Sequence, residues 1–96
     1  MGLKEAYIEK LDAQLRQWNA QIDLLKAKAD KAEAGAKIEL HKQLNTVRAQ
    51  QEAAQAKLKE LRAVSEDAWE TLKDGAERAW RELKVAVESA ASKFNK

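Results

Sequence analysis

The sequence contains no cysteine and no proline, and only three of its 96 residues are glycine. Without cysteine, neither a disulfide framework nor thiolate chemistry is possible. Without proline and with so little glycine, the chain has few residues that end helices or form tight turns. Alanine, glutamate, lysine, leucine, arginine and glutamine dominate instead, and this composition is typical of long helices and coiled coils.

Large apolar residues are also scarce. Aromatic residues make up 5% of the chain, and much of the 45% hydrophobic content is alanine, which buries little area. We therefore expect a thin core whose stability depends on partner chains. No apolar run reaches the length of a membrane-spanning helix, and the first residues lack the apolar run of a signal peptide. These features predict a soluble, cytoplasmic protein.

The chain also lacks a large excess of either acidic or basic residues. The 18 basic and 16 acidic residues are interleaved and leave a formal net charge of +2. This pattern is typical of helix faces that are solvated and crossed by ion pairs. A nucleic-acid interface would require a concentrated basic surface, so we expect no nucleic-acid partner.

No combination of residues that supports catalysis or metal binding is present. His41 is the only histidine, and the residues three and four positions from it are Lys37, Ile38, Leu44 and Asn45. A metal or acid–base role requires a second histidine or a carboxylate one helical turn away. No serine has a histidine nearby in sequence, and glycine-rich phosphate loops are absent. We predict no enzymatic activity, no metal and no cofactor, with His41 at the surface.

The first third of the chain carries a heptad pattern. Apolar residues recur there at alternating steps of three and four, which predicts an amphipathic helix with an a/d seam. The seam begins with large residues and tapers to alanine towards residue 36. Its large members, which we call the first seam, are Ile8, Leu11, Leu15, Trp18, Ile22 and Leu25.

Gly35 leaves two folds open. A C-terminal cap at Gly35 would divide the chain into an antiparallel three-helix bundle with a turn there. The residues after Gly35 include no capping Ser, Thr, Asp or Asn, and one glycine inside a helix costs only about 1 kcal/mol. We therefore predict one long helix over residues 3–63, and keep the bundle as the alternative.

The last third contains the frame Ala-Trp-x-x-Leu-Lys twice, at residues 68–73 and 79–84. An eleven-residue spacing is about 3.67 residues per turn, so both copies lie on one helix face. Ser65 is a favoured N-cap, and Val64 and Trp69 have the spacing of a hydrophobic staple. These signals predict a return helix over residues 66–94. Its face is expected to pack on the second half of the long helix through Leu44, Val47, Leu58, Leu61, Trp69, Leu72, Trp80, Leu83 and Val87.

The predicted fold is therefore all-α, a single helical coiled-coil domain over residues 1–96, built as a long antiparallel hairpin. The return helix is about half as long as the first, so it leaves the first seam bare. A row of uncovered large apolar residues marks an interface. We predict that a second copy of the chain covers it, most simply in an antiparallel dimer.

Three stretches resemble a known group of proteins. They are Leu11-Asp12-Ala13-Gln14-Leu15 with Trp18 and Ile22, the run at residues 26–32, and Ser65-x-Asp67-Ala68-Trp69-x-x-Leu72-Lys73. Together they resemble small bacterial coiled-coil proteins that are grouped as stress-response proteins. The resemblance implies induction under stress and implies no reaction and no ligand, so it transfers no functional residues to this chain.

The sequence thus favours a non-enzymatic structural or interaction protein, an oligomeric helical scaffold or a stress-associated binder of other proteins. The alternative is a peripheral protein that binds a membrane surface through its last helix, because eleven-residue amphipathic repeats also occur in lipid-surface helices. The balance of acidic and basic residues makes attraction to anionic lipid weak, which places the membrane second.

Overall fold

Three α-helices make up the protein in the computed structural model, which describes residues 2–94 and shows no β-strand within them. Helix α1 spans Leu3–Lys31, α2 spans Ala34–Ala63 and α3 spans Trp69–Phe94. They run up, down and up in a bundle of 51 × 18 × 18 Å. The rings of Tyr7 and Trp69 lie 5.4 Å apart, so α1 and α3 begin at the same end. The all-α prediction is confirmed.

The predicted continuous helix over residues 3–63 is wrong, and the three-helix alternative describes the chain. The turn lies at Ala32 and Glu33, two residues before the predicted position at Gly35. Both turn residues are extended, with φ −71° and ψ 158° at Ala32 and φ −64° and ψ 154° at Glu33. Gly35 lies inside the first turn of α2 and has no positive φ.

Burial explains why the chain folds back where no local signal ends the helix. Leu11, Leu15, Ile22 and Leu25 would face water in a single straight hairpin, and all four are buried in the bundle. Burying each such side chain stabilises the fold by about 1.5–3 kcal/mol. Interrupting one helical turn gives up a few backbone hydrogen bonds, each with a net contribution of about 1 kcal/mol. The gain from burial therefore exceeds the cost of the break.

The turn between α2 and α3 is longer and is held from several sides. The Ala68 amide donates to the Ser65 carbonyl at 3.1 Å, and α3 begins at Trp69, three residues later than predicted. The Lys4 ammonium of α1 donates to the carbonyls of Arg62 and Val64. A cation at the C-terminal end of α2 is stabilised by the partial negative charge of that end.

The core consists of apolar side chains only, since no charged or polar residue among residues 2–94 is buried. Leucines and two tryptophans alternate with alanines, which lets the helices approach closely where alanine lies at the contact. The buried residues of α1 are Leu11, Leu15, Ile22, Leu25 and Ala29, those of α2 are Leu44, Val47, Ala54, Leu58 and Leu61, and those of α3 are Trp69, Ala76, Ala79, Trp80, Leu83, Val87 and Ala90.

Two polar contacts join the helices at the edge of this core. The buried indole N–H of Trp80 donates to the carbonyl of Leu11 at 3.2 Å, which satisfies the one polar group of that side chain. The side-chain amide of Gln51 donates to the side-chain oxygen of Asn19 across α1 and α2. Gln51, a polar residue in a seam position, therefore has a partner on the neighbouring helix.

The turn at Ala32 and Glu33 predicts how the chain tolerates proline. Ala34 is the first residue of α2 and follows an extended residue, a position where proline fits without loss of a helical hydrogen bond. We expect Ala34→Pro to change the free energy of unfolding by less than about 1 kcal/mol. Ala53→Pro, at an exposed position inside α2, should lower it by about 3 kcal/mol. Urea denaturation followed by circular dichroism measures both; equal, large losses would contradict the turn.

Gly75 lies inside α3, where glycine weakens a helix. A Cβ atom at this position would make only ordinary contacts, 3.8 Å from Nζ and 3.9 Å from Cε of Lys57. We expect Gly75→Ala to raise the free energy of unfolding by about 0.5–1 kcal/mol. Gly35→Ala is the matched control, in the first turn of α2 with no atom within 4 Å of the new Cβ. Its gain should be smaller because propensity matters less near a helix end.

Candidate functional site

The first seam lies inside the bundle, so the premise of an uncovered row is wrong. Leu11, Leu15, Ile22 and Leu25 are buried, and Ile8 and Trp18 are partly buried against the same core. Because α2 and α3 cover these side chains, they are not free to contact a second copy while the three helices stay together. The dimer inferred from them loses its basis in this state of the chain.

The residues expected to pack within the chain lie together in the core. Leu72 is partly buried against it, and the other eight are buried: Leu44, Val47, Leu58, Leu61, Trp69, Trp80, Leu83 and Val87. They are therefore structural, and a functional surface has to be sought on the outside of the bundle.

A depression on that outside runs between α2 and α3 and has a volume of about 570 Å³. We call it the α2–α3 groove. Buried Val47 forms its floor together with partly buried Ala86, and Val85 stands on its rim with 65% of its surface exposed. The residues that line it are Gln43, Thr46, Val47, Gln50, Arg81, Glu82, Val85, Ala86 and Ser89.

The α2 wall of the groove carries no charge, although 35% of all residues are charged. Gln43, Thr46, Val47 and Gln50 follow the i, i+3, i+4, i+7 spacing of one helix side. On the α3 wall, Arg81 and Glu82 have opposite charges at neighbouring positions, so this wall adds no net charge. The groove is thus neutral, with an apolar floor and hydrogen-bonding walls.

Other exposed apolar residues stand singly. Leu3, Leu24 and Ile38 are 74%, 64% and 65% exposed. Isolated apolar residues are normal on protein surfaces and indicate no site by themselves. Leu24 borders a smaller depression of about 150 Å³ between α1 and α3. The α2–α3 groove differs from the depression at Leu24 in size, with a volume of about 570 Å³ against about 150 Å³.

Periodicity alone did not single out the groove. Val85 lies opposite the buried face of α3, so a helical reading places it among surface residues without a role. The available signal was local: Val85 and Ala86 interrupt the charged outer face of α3, and Thr46 beside Val47 does the same on α2. Only the packing of α2 on α3 brings these two interruptions together.

His41 has a carboxylate partner that the sequence spacing missed. Its Nε2 atom lies 3.2 Å from the Asp30 carboxylate, across the turn between α1 and α2. Both side chains are substantially exposed, as expected for a surface histidine. Within residues 2–94 no group of three His, Cys, Asp or Glu side chains is arranged to hold a metal ion.

Tyr7 forms a second polar cluster, at the end of the bundle where α1 and α3 begin. Its ring packs against Trp69, and the Lys73 ammonium lies 5.5 Å from the centre of the Tyr7 ring. Burial raises the pKa of Tyr7 to about 12, and the carboxylates of Glu77 and Asp74 add to the rise because a phenolate beside them is repelled. The hydroxyl is shielded from water and completes no regular hydrogen bond within the described residues.

None of the helices in the described part of the chain is long and apolar enough to cross a membrane. The eleven-residue repeat of α3 is amphipathic, and its apolar face with Trp69, Trp80 and Leu83 packs into the core.

The raised pKa of Tyr7 predicts a dependence of stability on pH. The folded state favours the neutral phenol, so the stability that Tyr7 contributes is present below pH 10 and is lost as the pH rises to about 12. Tyr7 is the only tyrosine, so ultraviolet absorbance of the phenolate should report its midpoint directly, near 12 in the folded chain and near 10 in urea.

The control is Tyr7→Phe, which keeps the ring and removes the titrating group. This variant should lose less stability than the wild type between pH 9 and pH 11.5, which urea denaturation at the two pH values measures. An unshifted midpoint, or the same loss in both proteins, would contradict the burial of the hydroxyl.

Comparisons with known proteins give no relative for this chain. No family model matches it, and neither the curated proteins nor the solved structures contain a match. The resemblance to bacterial stress-response coiled-coil proteins therefore stays a prediction. On the surface of the bundle, the α2–α3 groove combines an apolar floor with hydrogen-bonding walls.

Proposed function

We propose that this protein is a non-enzymatic interaction protein that binds amphipathic helical segments of other proteins in the α2–α3 groove. Segments of this kind become exposed when proteins unfold under stress, so the proposal includes a role as a stress-associated binder. In this proposal the protein acts in the cytoplasm, without a cofactor and without catalysis.

The groove itself is the observation that supports this proposal. Helix-in-groove recognition places apolar anchors at i, i+3 or i+4 and i+7 into an apolar trough between two helices. The floor of Val47 and Ala86 and the rim of Val85 offer such a trough. Its volume of about 570 Å³ is in the range of about 300–1,000 Å³ that binding pockets occupy. Gln43 and Gln50 supply hydrogen-bonding groups at its border.

The neutral walls favour a broad range of partners. Selection by charge would require a wall of one sign, and neither wall has one. Two or three apolar anchors gain about 1.5–3 kcal/mol each on burial, from which the costs of association must be subtracted. Even three anchors at the upper value, less the smallest association cost of about 4 kcal/mol, leave about 5 kcal/mol, which corresponds to dissociation constants of roughly a tenth of a millimolar or weaker. Transient binding of this strength suits a protein that holds unfolded segments and releases them.

Binding to a membrane surface through α3 is the second function that the sequence predicts. It would use the face that carries Trp69, Trp80 and Leu83, and this face is buried. Insertion into a lipid surface would therefore require α3 to leave the bundle, with loss of its core contacts. The groove requires no such opening, and we place it first for that reason.

Aggregation of the insulin B chain, set off by reducing insulin with dithiothreitol, is a suitable test. The protein has no cysteine, so the reductant leaves it unchanged. We expect the wild type to slow the rise in light scattering. Val85→Lys should lose most of this effect, because a segment bound over the rim would have to remove water from the new ammonium, which is unfavourable. Leu24→Lys is the matched control, with almost the same exposure on α1, and should behave as the wild type.

NMR chemical shifts distinguish binding in the groove from non-specific binding elsewhere on the surface. On addition of B chain, the amide signals of Thr46, Val47 and Ala86 should move more than those around Leu24. No slowing of aggregation, or an equal loss in both lysine variants, would overturn the proposal. Flotation with phosphatidylglycerol vesicles and a blue shift of tryptophan fluorescence, without groove shifts, would support the membrane function in its place.

A further inference from the structure

We propose that the chain has a second state, an exchanged dimer in which the turn at Ala32 and Glu33 straightens and α1 packs on α2 and α3 of a second copy. This inference rests on α1 and its turn and is independent of the α2–α3 groove. The partner is a second copy of the chain, because each copy has the same α2 and α3 surface that α1 covers in its own chain.

At both residues of the turn, the backbone angle φ is already close to its helical value. Ala32 has φ −71° and Glu33 has φ −64°, near the helical value of about −63°. Only the two ψ angles, at 158° and 154°, differ from a helix. Alanine and glutamate are good helix formers, so rotation about two bonds joins α1 and α2 into one helix.

The contacts that hold this turn closed are weak: the exposed ion pair of His41 with Asp30 spans it at 3.2 Å, and the Ala32 amide donates to the Ala29 carbonyl at 3.2 Å. No side chain caps the start of α2 at Glu33. In a continuous helix the amides at the start of α2 would donate to carbonyls at the end of α1, groups that helix ends leave without helical partners. The turn between α2 and α3 differs, since Lys4 donates to the carbonyls of Arg62 and Val64. We therefore expect exchange at the turn between α1 and α2.

The apolar faces of α1 and α2 would coincide in the straightened helix. Residues of the first seam recur 36 positions later as core residues of α2, and 36 residues are about ten full turns. Pairs with this separation are Leu11 and Val47, Ile22 and Leu58, and Leu25 and Leu61. One unbroken stripe results, of which the chain's own α3 covers only the α2 half. The α1 half then fits the equivalent space on a second copy.

Every contact between α1 and the rest of the bundle can re-form between the two copies. These contacts include the Gln51 to Asn19 hydrogen bond, the Trp80 to Leu11 hydrogen bond and the Arg62 to Asp12 ion pair at 3.5 Å. Because α1 is antiparallel to α2 within one chain, the two long helices of the dimer are antiparallel and cross at Ala32 and Glu33. Short turns without a relaxed loop favour such exchange.

The two states differ strongly in length. The monomer measures 51 Å along its long axis. A helix from residue 3 to residue 63 is about 90 Å long, so the exchanged dimer should approach that length. Small-angle scattering and light scattering together therefore distinguish it from the monomer.

Heating and cooling at high protein concentration should populate the dimer, because exchange requires α1 to detach. We expect chromatography with light scattering to resolve a species of twice the 10.8 kDa chain mass that persists after dilution. Ala34→Pro should reduce its fraction by more than about tenfold, since proline in a continuous helix loses the hydrogen bond to the Asp30 carbonyl and collides with it. Ala34→Ser is the control at the same position and should dimerise as the wild type does.

Inserting Gly-Ser-Gly-Ser between Ala32 and Glu33 provides a second way to keep the monomer, should Ala34→Pro fold poorly. A relaxed, longer turn removes the advantage of straightening. This variant should stay monomeric after the same treatment, with helical circular dichroism unchanged. Val85→Lys should still form the dimer, which separates failure of the groove proposal from failure of this one.

Cross-linking identifies which chain supplies α1. The protein lacks cysteine, so Asn19→Cys with Gln51→Cys introduces the only two thiols. In the exchanged dimer these thiols of one chain lie about 48 Å apart along the helix, and a short bis-maleimide can join only thiols of different chains. We expect cross-linked chains of double mass from the dimer and intrachain links from the monomer. Absence of a dimer at millimolar concentration, intrachain links within the dimer, or dimerisation of Ala34→Pro would overturn the inference.

Discussion

The burial of the first seam by α2 and α3 is the interaction on which the bundle depends. Large side chains of α1, such as Leu11 and Ile22, meet a surface in which Trp80 and Leu83 alternate with alanines. In a chain of 96 residues with few large apolar groups, four leucines and isoleucines left in water would remove a substantial part of the core. The turn at Ala32 and Glu33 is a consequence of this burial, since its own residues favour a helix.

Helical periodicity was sufficient to predict the all-α fold and the apolar face of each helix, but it assigned the face of α1 to a second copy of the chain, whereas that face lies in the chain's own core. The boundary before α3 was predicted within three residues, because Ser65 and the acidic residues after it are local signals. The turn at Ala32 was missed because the free energy that favours it comes from contacts far away in sequence. The pattern of apolar residues in one helix carries no information about the surface of the helix that packs against it.

The candidate site was less accessible to sequence reasoning than the fold. Val85 is distinguished only because it lines the same groove as Val47, and that depends on how α2 packs on α3. The pairing of His41 with Asp30 and the packing of Tyr7 on Trp69 likewise join different helices. Spacing along one helix identifies neighbours on that helix, and each of these partners comes from another one.

The two proposals are compatible because they use different pairs of helices. In the exchanged dimer α2 and α3 of one chain stay together, so each chain keeps its groove. A dimer would then carry two grooves on one elongated body. Two weak sites on one body bind a chain with several apolar segments more tightly than either site alone.

The hydrogen bond from Trp80 to the Leu11 carbonyl also determines how the helices are aligned along their axes. Heptad patterns permit α3 to slide along α1 by seven residues, about 10 Å, with apolar residues still facing apolar residues. Such a slip towards the end of α1 would bring Trp80 to the level of Trp18, whose indole already packs against the core there. Two indoles do not fit in the space of one. Aromatic bulk, with no ion pair required, thus excludes a slip that hydrophobicity alone would accept.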